Sequence, residues 1–496
     1  MTEEQSQIVE NIGRNEESLE LQGFAGCGKT TVIEMAYYSD PLAAKGTWYT
    51  AFNKGIVKAV KNRIPSMTTK TFDSIGYRLG LENSPWESDH IGIGRVQYLK
   101  ISEVIGVKPS HVLSGYENIK GNRVSRLAYS IVESYCNSGC QEINDSLVPV
   151  EIASPEARAE LLHYAKNLWG NMIATPDIFD HQVIRPSFVT KAFSLQNGKL
   201  PGYVRRLFLD EAQDVNGAFA AILDNSNHVQ VIAAGDRYQE LYGWRGAVNA
   251  MSRWGANRLA VTKSFRFGEP IAELANATLA LVSNQPDEVI SSYSKGIASE
   301  IVGYQGSPGK CDVILARSRA SVFALAKGLA NKNRSFFLNL DMEEWRSMLR
   351  SALALRRGEN TNQFNHRTIN LFDHWSQLVS YAEAALDSDL TMCVKIVNEH
   401  YETLEEDLAQ IARRNTSYEH DADVILSTTH KIKGRDWDNV ALAEDFLYAL
   451  NRIECDRDTL DKELNILYVA LTRARKTLQV PYSLLEWLNS CQHRSV

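Results

Sequence analysis

The sequence predicts an α/β chain built on parallel sheets with helices packed around them, and three observations carry that prediction. The chain has 496 residues, more than one hydrophobic core usually fills, so two to four structural domains are expected. Short apolar runs of strand length recur in both halves, alternating with helix-favouring stretches, as parallel sheets require. A glycine-rich turn stands between the first such run and the first helix-like stretch, in the order strand, turn, helix.

In the N-terminal half the strand-like runs are Leu19–Leu21, Trp48–Phe52, Leu207–Leu209 and Val229–Ala234. In the C-terminal half they are Val313–Ala316, Val424–Ser427, Val440–Ala443 and Thr477–Val480. Hydrophobic residues at 44% and charged residues at 23% are ordinary for a globular protein and exclude a disordered chain. No apolar run approaches the roughly 18 residues of a membrane span, so no membrane association is expected. The net charge of -7, from 53 basic and 60 acidic residues, excludes a surface coated in positive charge but leaves room for a local basic track. Seven cysteines form no disulfide framework, and the close pair Cys136 and Cys140 lacks the second pair that zinc or an iron–sulfur cluster needs. A reducing compartment follows: the cytoplasm if the chain is prokaryotic or phage-encoded, the nucleus if it is eukaryotic.

The turn Gly23-Phe24-Ala25-Gly26-Cys27-Gly28-Lys29-Thr30 matches the phosphate-binding loop G-x-x-x-x-G-K-[ST] at every fixed position. Glycines let backbone N–H groups approach phosphate oxygens, the following helix N-terminus adds partial positive charge, and Lys29 reaches the terminal phosphates. ATP is the expected ligand, contacted by Gly23, Ala25, Gly26, Cys27, Gly28, Lys29, Thr30 and Thr31. Farther along, the apolar run Leu207-Phe208-Leu209 ends in Asp210-Glu211-Ala212-Gln213-Asp214. Asp210, with the hydroxyl of Thr30, is expected to hold Mg²⁺, while Glu211 polarises the attacking water. Either segment alone could be an ordinary turn; together they describe phosphoryl transfer.

The D-E-x-Q-D segment resembles motif II of the UvrD/Rep helicases of superfamily 1A. Gly235-Asp236-Arg237-Tyr238-Gln239-Glu240-Leu241-Tyr242-Gly243-Trp244-Arg245-Gly246-Ala247 resembles that family's motif III over thirteen consecutive positions. Ser264-Phe265-Arg266 resembles motif IV, and Leu315-Ala316-Arg317-Ser318 the segment after it. Thr428-Thr429-His430-Lys431-Ile432-Lys433-Gly434 resembles motif V, and Tyr468-Val469-Ala470-Leu471-Thr472-Arg473-Ala474 motif VI. Phe52-Asn53-Lys54 and Thr71-Phe72-Asp73-Ser74 look closer to the F-box DNA helicase branch than to UvrD itself.

The resemblance implies two RecA-like lobes: 1A from 1–85 and 196–262, and 2A from 263–325 and 418–496. It further implies a mostly helical insertion 1B at 86–195, where Ala157–Leu168 carries helical apolar spacing, and a shortened 2B at 326–417. In 2B the acidic stretch Glu402–Asp407 reads as a solvated helix. The implied activity is ATP-dependent translocation along single-stranded DNA with 3′ to 5′ polarity, and DNA unwinding in repair, recombination, replication or anti-phage defence. An ATPase subunit beside a partner nuclease, and an RNA-directed helicase, are the alternatives. Expected partners are single-stranded DNA, single-strand/duplex junctions, and a nuclease or a repair or defence factor.

By the same resemblance, Gln5 recognises adenine, Phe265 stacks on it, and Gln239 senses the γ-phosphate. Arg266 and Arg473 neutralise charge developing in the transition state, and Gly434 and Asp436 complete the nucleotide contacts. Phe52, Asn53, Lys54, Thr71, Tyr242, Trp244, Arg245, Thr428 and His430 are the expected nucleic-acid contacts, with Trp244 as the base-stacking aromatic. For Phe52 and Phe265 the competing reading is a core aromatic. Lys54, Lys58 and Lys61 fall on one helix face, in a segment (50–80) with six basic and one acidic side chain, +6 − 1 = +5. A solvated helix face is the plain alternative there. Two departures stand out: motif V continues Lys433-Gly434-Arg435-Asp436-Trp437 where K-G-L-E-F is common, and Asp73 stands where the family has His.

Overall fold

The computed structural model describes residues 2–494 apart from 15, 41–43, 95, 117–118, 150–151, 180–182, 241–248, 256, 294–296, 360–365, 367, 370–371, 373, 385–387 and 452–455. The chain forms two compact units, Met1–Gly23 with Gly28–Val261, and Phe24–Cys27 with Thr262–Val496.

The first unit carries a six-stranded sheet of β1 (Leu19–Gly23), β2 (Thr47–Ala51), β3 (Thr68–Thr71), β4 (Arg206–Asp210), β5 (Gln230–Gly235) and β6 (Asn257–Val261). Its order is β3-β2-β4-β5-β1-β6, and every pairing is parallel. The strands β1, β2, β4 and β5 are buried along their whole length; that makes the centres of β4 and β5 continuous apolar runs, while β1 buries Glu20 and Gln22 between its apolar positions. The sequence reading missed β3 and β6. Both lie at sheet edges and are half exposed, so their residues are polar enough to pass for loop.

A separate helical core occupies residues 86–192, gathered around Trp86, Tyr129, Leu161, Leu168 and Phe188. The expected helix at Ala157–Leu168 runs from Pro155 to Ala174, with Ser154 accepting a hydrogen bond from the Ala157 N–H as its N-cap. Helix Pro186–Leu195 packs on helix Phe72–Leu81 through two glycines. A Cβ at Gly76 would come within 2.5 Å of Thr190 Cγ2, and one at Gly80 within 2.9 Å of the Val189 carbonyl oxygen. The missing side chains allow the two backbones to approach this closely.

The second unit opens with a two-residue parallel pair, β7 (Lys263–Ser264) with β8 (Ser291–Ser292). Its six-stranded sheet comprises β9 (Glu300–Tyr304), β10 (Val313–Ala316), β11 (Phe337–Leu338), β12 (Ile425–Thr428), β13 (Trp437–Leu442) and β14 (Ala474–Pro481). The order is β11-β12-β10-β13-β14-β9, again parallel throughout. Helices Met342–Arg357 and Leu404–Arg414 bury Trp345, Leu349, Leu408 and Ile411 in one cluster with the sheet residues Ile314, Leu426 and Ala441. The acidic stretch departs from the expected solvated helix: the helix begins at Leu404, and both Leu404 and Asp407 are buried. Asp407 is buried and is held by Lys327 Nζ at 2.8 Å, His400 Nδ1 at 3.0 Å and the Thr403 hydroxyl at 2.8 Å.

Candidate nucleotide site and nucleic-acid contacts

In the first unit, register alone brings the chemistry together. Leu21 pairs with Ala234 and Gln22 with Gly235, while Asp210 also pairs with Ala234. The carboxyl ends of β1, β4 and β5 therefore lie side by side, the place where open parallel sheets bind ligands. Buried β1 delivers the chain into the glycine turn, where Gly26 and Gly28 have φ of 74° and 79°. Helix Lys29–Ser39 follows, with Gly28 as its left-handed N-cap. Lys29 Nζ donates to the Gly23 carbonyl at 2.6 Å, keeping the ammonium over the loop.

Asp210 is buried, and its Oδ2 accepts from the Tyr49 hydroxyl at 2.7 Å and from the Thr30 hydroxyl at 3.5 Å. Burial, then the neighbouring Glu211, push its carboxyl up to about 6, against the hydrogen bond from Tyr49 and the charge of Lys29. A carboxylate so short of positive charge, with a threonine hydroxyl beside it, suits a divalent cation. Glu211 sits in the left-handed region at φ 56°, a conformation that costs a side-chain-bearing residue about 1–2 kcal/mol. Its Oε2 accepts from Gln213 Nε2 at 2.5 Å, and Gln213 Oε1 in turn accepts from the Asp236 N–H at 3.2 Å. Asp236 accepts from Gln239 Nε2 at 2.8 Å and from Gln22 Nε2 at 3.2 Å. A continuous hydrogen-bonded chain thus runs from Glu211 to Gln239. Tyr49, Gln22, Gln213 and Asp236 were not singled out for these positions by the sequence reading. Only their places inside strands or motifs could have drawn notice to them.

Gln5 is buried, and its Oε1 accepts from the Thr2 N–H at 3.0 Å while the Gln5 N–H donates to Thr2 Oγ1 at 3.1 Å. This is a capping box on helix Glu3–Arg14, a second reason for the T-x-x-Q spacing. Thr31 lies in the first turn of helix Lys29–Ser39.

In the second unit, Arg266 Nη1 donates to the Thr472 carbonyl at 2.9 Å, and its Nε is 3.6 Å from Asp436 Oδ2. The next residue, Arg473, is buried with Nε donating to the Val469 carbonyl at 2.9 Å and Nη1 to the Arg435 carbonyl at 3.2 Å. Arg266, Arg473 and Asp436 therefore converge at one place, although 207 positions separate the two arginines (473 − 266). Asp436 also accepts from Arg475 Nε at 2.6 Å, and these guanidinium groups hold its carboxyl below the usual range against the effect of burial. Gly434, at φ 85°, makes the turn that leads into it. The loop residues grouped with this unit are pinned there as well: the Ala25 N–H donates to the Tyr468 hydroxyl at 3.1 Å, and the Phe265 N–H to the Gly26 carbonyl at 2.9 Å. Cys27 is buried beside them. Phe265 is no core aromatic. It is 40% exposed and lies against Tyr293 with ring centroids 4.3 Å apart.

The expected nucleic-acid contacts divide. Lys54 and Lys58 are exposed on helix Lys54–Arg63, whereas Lys61 Nζ is tied to the Pro65 and Met67 carbonyls. Asn53 is the N-cap of that helix and Thr71 the N-cap of helix Phe72–Leu81, so both side chains have structural partners. Phe52 packs on Phe72 at the margin of the first sheet's core. Thr428 ends β12, and His430 follows in a short 3₁₀ turn. Burial, then Arg317, Arg319 and Lys433, push the His430 imidazole down to about 4, so it is neutral at physiological pH. Tyr242, Trp244 and Arg245 lie outside the described residues.

Strand, glycine turn and helix, with a carboxylate pair ending a parallel strand one place removed across β5, define the first unit as a P-loop nucleotide-binding fold. Residues 323–484 match the model of the UvrD-like helicase C-terminal domain. F-box DNA helicase 1 of Gallus gallus is 27% identical over 98% of this chain and 49% of its own length. F-box DNA helicase protein 1 of Schizosaccharomyces pombe is 26% identical over 96% of this chain and 57% of its own. The chain is related to the UvrD-like helicases of superfamily 1 and, among them, to the F-box DNA helicase branch. It spans about half the length of the curated relatives it matches. Among the described residues no helix is long and apolar enough to cross a membrane.

Proposed function

We propose that the chain is an ATP-driven motor that moves 3′ to 5′ along single-stranded DNA and opens duplexes in its path. The observation that carries this reading is the placing of Lys29, Thr30, Asp210 and Glu211 at the carboxyl ends of neighbouring strands, joined to Gln239 through Gln213 and Asp236. Thr30 and Asp210 would hold Mg²⁺, which supplies charge neutralisation on the phosphates. Lys29 binds the terminal phosphates, and Glu211, held by Gln213, orients water for attack. Gln239 responds to the γ-phosphate and passes its state to Glu211 through the shared Asp236. Arg266 and Arg473 neutralise charge in the transition state, a contribution of ~10³–10⁵ in rate for arginine fingers. The exposed pair Phe265 and Tyr293 offers a flat apolar face to the adenine ring.

The names of the two relatives favour DNA over RNA, and exposed Lys54 and Lys58 supply phosphate contacts that serve either. The pathway we propose is DNA repair, recombination, replication or anti-phage defence, with a partner nuclease or repair factor. A further part of the reading is that the small 326–417 segment weakens the self-inhibition that a full 2B element provides, so the monomer unwinds DNA by itself.

The test is ATP hydrolysis and strand displacement on DNA and RNA duplexes with 3′ or 5′ single-stranded tails, comparing the wild type with Lys29→Ala. Stimulation by single strands, preference for a 3′ DNA tail and loss of turnover in the variant are expected. Equal use of both tails overturns the polarity, and hydrolysis indifferent to nucleic acid overturns the motor. Translocation by the monomer without duplex opening counts against the released 2B.

A further inference from the structure

Within the second unit, a cavity of about 990 Å³ opens beside β10, between helix Arg319–Asn331 and helix Asp445–Asn451. Its floor is apolar, made by Ile314, Leu325, Leu329 and Cys311. Tyr448, 64% exposed, stands at its mouth. Lys332, Arg334 and Lys395 bring positive charge to its lining. Among the described residues neither Lys332 nor Arg334 forms an ion pair, and Lys395 reaches Glu399 only at 3.9 Å. Two carboxylates line it too: Glu444 is exposed, while Asp445 is already engaged by the Arg317 and Ser318 N–H groups, at 2.9 and 2.8 Å, and Arg317 is held by Glu463 at 2.5 Å.

We propose that this cavity docks an acidic peptide segment of a partner protein, anchored by a bulky apolar side chain. An apolar floor with an exposed tyrosine at the rim is the form that buries an aromatic or aliphatic anchor. Lys332 and Arg334, which form no ion pair among the described residues, favour carboxylates on the same peptide. A cavity of this volume is at the upper end of small-ligand sites and has room for several side chains. None of the floor or the cationic rim belongs to the nucleotide site, so the inference stands apart from the motor reading.

Gly328 gives the decisive variant. It faces the cavity from a helix, a Cβ there meets nothing within 4 Å, and leucine is the better helix former. Gly328→Leu should therefore fold and fill the space. The probe is a fluorescein-labelled dodecapeptide of Glu and Ser around a central Leu-Phe pair, titrated with the full chain and read by anisotropy. Saturable binding is expected, weakened at least tenfold by Gly328→Leu and by the pair Lys332→Glu/Arg334→Glu, with thermal melting and basal ATP hydrolysis kept in Gly328→Leu. Replacing Glu by Lys, or Leu-Phe by Ala-Ala, should abolish binding. No binding of the acidic peptide, or equal binding by Gly328→Leu, overturns the proposal. Displacement by an unlabelled single-stranded oligodeoxynucleotide also overturns it, because the cavity would then belong to a nucleic-acid track.

Discussion

Tyr49, outside every motif, shows how a single hydroxyl on the adjacent strand can matter to the carboxylate of Asp210. It is buried on β2, and its 2.7 Å hydrogen bond fixes the rotamer of Asp210 at the atom nearest Thr30. Hydrogen bonds to charged groups contribute about 1.5–3 kcal/mol. Tyr49→Phe should therefore raise the Mg²⁺ concentration for half-maximal ATP hydrolysis several-fold while leaving the protein folded; an unchanged Mg²⁺ profile would show that the hydroxyl does not position the ligand. His430 makes a second prediction. Its folded imidazole titrates at about 4, below the ordinary value of 6.5. The stability it contributes is fully present above pH 6.5 and is lost as the pH falls toward 4, because only the unfolded chain takes up the proton in that window. His430→Gln should flatten the acid-side loss by about 1–2 kcal/mol between pH 7.5 and 5, read by urea denaturation.

Among the secondary-structure elements, two helices illustrate how a sequence feature acquires its meaning from what lies against it. Gly76 and Gly80, spaced one turn apart, would weaken helix Phe72–Leu81 if propensity ruled. They persist because Thr190 and the Val189 backbone occupy the space. Gly80→Ala gains about 1 kcal/mol of helix propensity but forces a Cβ against a carbonyl, so a net loss of about 1–2 kcal/mol is expected in thermal or chemical unfolding. Helix Lys54–Arg63 makes the complementary case. Asn53 accepts from the Gly55 N–H at 2.6 Å, and a cap of this kind contributes about 1 kcal/mol. Asn53→Ala should lose that stability and Asn53→Asp keep it. If Asn53 also touches a phosphate, the aspartate variant should bind single-stranded DNA several-fold more weakly than the wild type, and equal affinity would assign the residue to capping alone.

For the whole molecule, the two units are built differently. In the first, the helical residues 86–192 gather a hydrophobic cluster of their own, distinct from the cluster of Phe72, Leu207 and Phe219 on the sheet. In the second, the helices between β11 and β12 share one cluster with β10, β12 and β13. Deleting residues 342–414 would strip Trp345, Leu349, Leu408 and Ile411 from beneath the sheet. Burial of each such side chain contributes about 1.5–3 kcal/mol, so the deletion should leave the second unit unfolded, visible as lost cooperative melting. A deletion variant that melts cooperatively would show that the sheet has a sufficient core without those helices.

Sequence by itself determined the α/β class, the phosphate loop, the carboxylate pair and eight of the strands, because buried parallel strands must be apolar and phosphate chemistry needs specific residues at fixed spacing. It left β3, β6, β9 and the two-residue β7, β8 and β11 unread: the first three lie half exposed at sheet edges and the last three are too short to leave a pattern. The carboxyl ends of β1, β4 and β5 meet through register, and Tyr49 meets Asp210 across 161 positions; neither follows from local spacing. The gathering of Arg266 with Arg473 and Asp436, the exposure of Phe265 and the pairing of Asp407 were likewise decided only by the tertiary structure. Hydrogen bonds and desolvation act over a few ångströms in space, whereas sequence patterns report only what recurs a few residues apart along the chain.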